Sequence, residues 1–149
     1  MEKQNELAKP ELSRNALQKV AMNAIYVALT YIDMGQDVDV QAIVSSLMDD
    51  TPYEECDYFV KAAVVLFMKH RAEMIEIFNA NMRRWTFDRL NRVEQAILLL
   101  SYVHFFYIDP NVDKAVCINI AIRLTKEYCS DGDHRFVNAI LDKVLTRDE

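Results

Sequence analysis

Leu17, Val20, Ala21, Ala24, Ile25, Ala28 and Ile32 recur at spacings of three and four. That spacing lays one apolar stripe along a helix. Ser13 ahead of it is a natural N-cap, since a serine hydroxyl accepts from the free amides of a first turn. Gly35 ends the segment. A short second helix over residues 38–48 carries Val40, Ile43, Val44 and Leu47. Thr51-Pro52 with Glu54 predicts the start of a third helix, as cap, first-turn proline and capping-box acid. It runs through Tyr58, Phe59, Ala62, Val65 and Leu66 towards His70, and a fourth follows over residues 72–82. The fifth, over residues 89–107, is apolar nearly all round from Ala96, which predicts the central element. Asp113 is placed to cap a sixth, with Cys117, Ile120, Ala121, Leu124 and Tyr128 as its stripe. After the turn Ser130-Asp131-Gly132-Asp133, a last helix buries Phe136, Val137, Ile140, Leu141, Val144 and Leu145.

The expected fold is all-α: a single compact bundle of about seven helices over residues 11–149, behind a flexible N-terminal tail, residues 1–10. At 149 residues, a domain buries about 70% of its unfolded surface. Gly35 and Gly132 are the only glycines, too few for a hairpin-rich sheet, and the glycine-rich phosphate loops are absent. The longest apolar run, residues 96–108, falls short of the roughly 20 needed to span a membrane. Residues 1–9 hold no apolar signal-peptide core. Cys56, Cys117 and Cys129 lack metal or redox spacing, which fits a reducing cytoplasm.

Charge is polarised along the chain, which carries a net −6. Asp33, Asp37, Asp39, Asp49, Asp50, Glu54, Glu55 and Asp57 form an acidic block without a single Lys or Arg. Lys69, Arg71, Arg83, Arg84, Arg89 and Arg92 then outnumber the intervening acids. Net acidity therefore permits a local basic face, and two solvated faces of opposite sign are the plainer alternative.

Several polar residues interrupt the apolar patterns. Asn119 and Asn138 sit inside helices that asparagine disfavours. The expectation is a structural role, a buried amide fixing helix register, with ligand contact as the alternative. His134-Arg135-Phe136 opens the last helix, offering a phosphate and base platform or simple core packing by Phe136. Arg83, Arg84, Arg89 and Arg92 form the best basic patch, guanidinium forks being suited to phosphate, unless Asp88 and Glu94 pair with them locally. His70 and Glu73 are three apart, but a bundle metal site needs further pairs, so no metal is expected. No nucleophile with a base is recognisable. Neither an enzyme nor a cofactor is expected.

Taken in order, Trp85, Arg89-Leu90, Ala96-Ile97-Leu98, Ile118-Asn119-Ile120-Ala121 and Arg135-Phe136-Val137-Asn138-Ala139-Ile140-Leu141-Asp142 form a pattern. With Ala21-Met22-Asn23-Ala24-Ile25-Tyr26 and Lys126, it resembles the NusB family of bacterial transcription antitermination factors. The resemblance implies a helical bundle that binds boxA-type leader RNA together with the small-subunit ribosomal protein NusE. It implies action within an RNA polymerase antitermination complex during rRNA transcription, by binding alone. Matched position by position, it implies RNA contacts at Arg14, Lys19, Tyr26, Lys126, Arg135 and Phe136. Family members carry several successive arginines ahead of the Tyr26 segment. Here Asn15, Ala16, Leu17 and Gln18 lie between Arg14 and Lys19. A second reading therefore stands beside the first: a NusB-fold protein-interaction bundle, as a homodimer for instance, with RNA binding weakened or lost. A third, an RNA-modifying enzyme, needs a catalytic domain that the residues do not provide.

Overall fold

The computed structural model describes residues 12–147, so the expected tail at residues 1–10 lies outside the described residues. Six α-helices occur among them: α1 (Arg14–Asp33), α2 (Val40–Leu47), α3 (Tyr58–Ala80), α4 (Arg92–Val103), α5 (Lys114–Tyr128) and α6 (Asp133–Val144). A π-helical turn, His104–Ile108, extends α4, and 3-10 turns occupy Tyr53–Glu55 and Phe87–Arg89. The all-α class holds, and four of the six starts have a side-chain cap. Asp113, expected to cap the helix from Lys114, accepts no amide there, and Gly132 has no side chain to offer. Ser13, Asp39, Asp57 and Asn91 accept from the backbone amides of Ala16, Ala42, Val60 and Glu94, satisfying donors that a first turn leaves free.

Two boundaries differ from the sequence expectation. The third helix does not start at Thr51. Pro52 is extended (φ −54°, ψ 139°) and leads only into a 3-10 turn. The Thr51 hydroxyl instead donates to the Met48 carbonyl at 2.6 Å, and Asp57 supplies the cap. The expected third and fourth helices are one element, because nothing between Lys69 and Ala72 breaks the backbone ladder. Polar His70 and Arg71 change the face of α3 without ending it.

Helix α4 is the hub: it packs on α1, α3, α5 and α6. Every residue from Glu94 to Val103 is buried, which explains its lack of a polar face. Alanines 21, 24 and 28 of α1, Ala63 of α3 and Ala96 of α4 are fully buried, and such small side chains leave room for close helix approach. Phe67, Phe78 and Phe87 fill the space left over.

The connection from α3 to α4 is tied to this core by two amides. Asn79 Oδ1 accepts from the Phe87 amide at 2.7 Å. Gln95 Nε2 donates to the carbonyls of Phe87 and Leu90, at 2.9 and 3.2 Å. Buried backbone groups that a helix would otherwise satisfy are thereby paired. The segment carrying Arg83, Arg84, Trp85 and Arg89 is held in place at its C-terminal end.

Candidate nucleic-acid interface

Lys19, Asn23, Tyr26, Thr30 and Asp33 follow one another at three- and four-residue spacing along α1. They therefore share a face. Arg92, the first residue of α4, closes over its far end. Its Nη2 donates to Asp33 Oδ2 at 2.8 Å, its Nη1 to Thr30 Oγ1 at 3.3 Å. The guanidinium lies 5.8 Å from the centre of the Tyr26 ring, within cation–π range. Thr30 in turn donates to the Tyr26 carbonyl at 2.9 Å. Tyr26, Asn91, Arg92, Tyr128 and Ser130 line an open cleft of about 340 Å³.

The near end of this face meets the last turns of α5. Lys19 Nζ lies 2.8 Å from Glu127 Oε2. Hydrogen bonding to Glu127 raises the Lys19 pKa, and the same contact lowers that of Glu127. Arg123 donates to Gln18 Oε1. Behind the cleft, Glu94 has its pKa raised by burial and by the negative charge of Asp133. Burial, then Glu94 and Asp133, push the Cys129 thiol up to about 11, so it is an inert small apolar group at neutral pH.

Of the six matched positions, Tyr26 lines this cleft, and Lys19 lies on the same face of α1, paired with Glu127. Lys126 is exposed on the last turn of α5, and Arg135 is exposed on the first turn of α6. Arg14 lies apart, about 18 Å from Tyr26 along the axis at 1.5 Å per residue. Its charge is felt by His104 instead. Phe136 is half-buried and faces another cavity, with Trp85. The cations do not gather in one groove.

Asn119 and Asn138 require a correction. Both side chains are exposed, so neither is a buried amide fixing register. Helix α5 buries Cys117, Ile118, Ile120, Ala121 and Leu124, and α6 buries Val137, Ile140, Leu141 and Val144. Both asparagines fall on the faces those stripes leave outside. Arg92 and Tyr128 were not among the matched positions. Arg92 was visible as part of a basic patch, but its partners on α1 lie 59 and 62 positions away.

This architecture has known counterparts. The NusB family model matches residues 15–146. The chain belongs to the NusB family. A transcription antitermination protein NusB from Finegoldia magna is 31% identical, over 93% of this chain and 97% of its own length. Another, from Methylacidiphilum infernorum, is 28% identical over 90% and 91%. Among solved structures, T. maritima NusB superposes with a TM-score of 0.75 at 19% identity, covering 91% of this chain and 92% of that one. That likeness concerns the fold. Both relatives are described as transcription antitermination proteins. No helix among the described residues is long and apolar enough to cross a membrane.

Proposed function

We propose that this chain is an antitermination factor that binds boxA-type single-stranded leader RNA jointly with the small-subunit ribosomal protein NusE. It acts by binding within the transcribing polymerase complex, in the cytoplasm, without a chemical step. The observation that carries this reading is the Tyr26 cleft, where a half-buried aromatic ring lies under the Arg92 guanidinium and beside Tyr128 and Ser130, with Lys19 further along the same face of α1. An aromatic surface takes a base of any identity, while flanking cations meet phosphate. Arg14, Phe136 and the exposed amides of Asn119 and Asn138 extend the set of candidate contacts over neighbouring surface.

A second reading has its own support. Lys19 is paired with Glu127 and Arg92 with Asp33, so two of the cations on this face are already neutralised. A NusB-fold protein-interaction bundle, self-associating as a homodimer, would need no free cations there.

Titrating labelled boxA-like RNA across salt, with and without NusE, separates the two. Antitermination factor behaviour gives affinity that falls steeply with salt, roughly 0.7 in log–log slope per phosphate neutralised on a single strand, and tightens when NusE is added. A flat salt response with no gain from NusE overturns it. A stable dimer in light scattering, with no RNA bound, supports the second reading.

A further inference from the structure

Among the described residues, four cations near Trp85 have no carboxylate partner. The acids that sequence proximity offers them are engaged elsewhere. Thr86 donates to Asp88 and Asn91 to Glu94, the latter at 3.0 Å. Asp142 pairs with Lys114 at 3.0 Å. Among the described residues no ion pair takes up Arg83, Arg84, Arg89 or Lys143. Lys143 donates only to the Asn81 carbonyl, at 3.3 Å, and Arg89 lies 5.8 Å from the Trp85 ring. This is the reverse of the Tyr26 face, where Lys19 and Arg92 are neutralised.

Three of them, Arg83, Arg84 and Lys143, line a cavity of about 300 Å³ between the α3–α4 connection and α6, at the lower end of the size of small-molecule sites. Its floor is apolar, with Met82, Ala139 and Ile140, and Trp85 and Phe136 line it. Trp85 is 54% exposed, although a tryptophan has more apolar surface to hide than any other residue. An exposed indole, a half-buried phenyl ring and uncompensated guanidinium groups are the parts of a stacking platform for a nucleotide.

We propose that this cavity is a second RNA subsite. One base of a single strand stacks against Trp85 and Phe136, and its neighbouring phosphates meet Arg83, Arg84 and Lys143. The subsite rests on the RNA-binding reading given above and extends it. Ser130 lines the Tyr26 cleft and Phe136 the second cavity, so a strand crossing the start of α6 passes from one to the other by way of Arg135. Free charge at this cavity takes the place of the arginines lacking ahead of Tyr26. An acidic peptide would satisfy the cations but would leave the Trp85 and Phe136 rings without a flat partner.

Trp85 is the only tryptophan in the chain, so its emission reports on this cavity without a label. The full-length protein is titrated with single-stranded oligouridylate and with boxA-like RNA, following Trp85 emission and, in parallel, anisotropy of end-labelled RNA. The subsite predicts quenching that saturates with the anisotropy curve. Trp85→Ala weakens binding by about tenfold, the scale of one lost base stack. Arg84→Gln and Lys143→Gln each reduce the salt slope by about one. Far-UV circular dichroism checks that each variant folds. RNA binding with unaltered Trp85 emission, and with Trp85→Ala unchanged in affinity, overturns the subsite and leaves the Tyr26 cleft standing. Absence of RNA binding in both readouts overturns the two together. Equal quenching by polyglutamate at equal charge overturns the assignment to RNA.

Discussion

Lys19 Nζ and Glu127 Oε2 stand 2.8 Å apart, bridging the Tyr26 face of α1 and the last turn of α5. An incoming phosphate has to compete with that carboxylate for the ammonium group. Glu127→Gln removes the competitor and leaves the side chain's shape. The expected result is tighter RNA binding and a salt slope steeper by about one phosphate contact. The melting temperature should hardly move, because exposed pairs contribute little to stability. Parallel RNA titrations of the two proteins across salt check this; equal slopes would mean that Lys19 takes no part in binding.

Asn138→Ala tests the corrected placement of that residue. A buried and orphaned amide partner would cost about 1–3 kcal/mol. An exposed asparagine without special geometry stays within about 0.5 kcal/mol. Urea denaturation should therefore give the smaller figure for both Asn138→Ala and Asn119→Ala. A loss at the larger figure would return them to the core.

That correction marks where reading the residues in order succeeds and where it stops. Signals confined to one turn were legible: Ser13 as a cap, Gly35 as a stop, and the unbroken apolar run of α4. Thr51-Pro52 reads as a helix start, but Pro52 leaves the helical region and Asp57 supplies the cap instead. Asparagine identity says what a side chain can bond to, but its position on the helix circumference decides whether it is buried. The candidate site was legible as Tyr26 and its neighbours on α1. The Arg92 clamp and the separation of Phe136 from Tyr26 were not, because both arise from packing between elements distant in sequence.

Gln95→Ala probes the tether on the α3–α4 connection. It leaves the carbonyls of Phe87 and Leu90 without the amide that serves both. The Phe87 carbonyl keeps the Leu90 amide as a partner, so the cost is that of the lost side-chain bonds, about 1 kcal/mol. Hydrogen exchange should quicken at residues 86–90, with α1 and α5 unaffected. If the loss spreads evenly over the bundle, Gln95 is a general packing residue and not a local tie.

Arg147 holds the π-helical turn and the loop after it from outside the helices. Its Nη2 donates to the carbonyls of Phe105 and Asp109, at 2.6 and 3.2 Å, and Nη1 to that of Val112 at 2.9 Å. The guanidinium sits 3.7 Å from the Phe105 ring centre. Three carbonyls at a helix end are thus served by one planar fork, which a lysine cannot reproduce. Both Arg147→Ala and Arg147→Lys should lower stability, by about 1–3 kcal/mol. Full rescue by lysine would show that charge alone is needed.

His104 makes stability depend on pH. Burial lowers its pKa from 6.5, and the positive charge of Arg14 adds to that, while Asp109 works in the opposite direction. Its ring packs edge-on against Phe59, with centroids 5.1 Å apart. The folded state therefore holds this imidazole neutral where the unfolded chain would protonate it. Between the lowered value and 6.5 the unfolded state binds more protons, so stability rises with pH across that window. The contribution is complete above 6.5 and is lost as pH falls towards the lowered value. His104→Phe keeps a flat ring beside Phe59 and removes the titration. Urea midpoints at pH 7.5 and 5.5, about one unit either side of the imidazole's usual value, should draw closer together in the variant than in the parent. An unchanged gap would show that His104 does not carry the acid sensitivity.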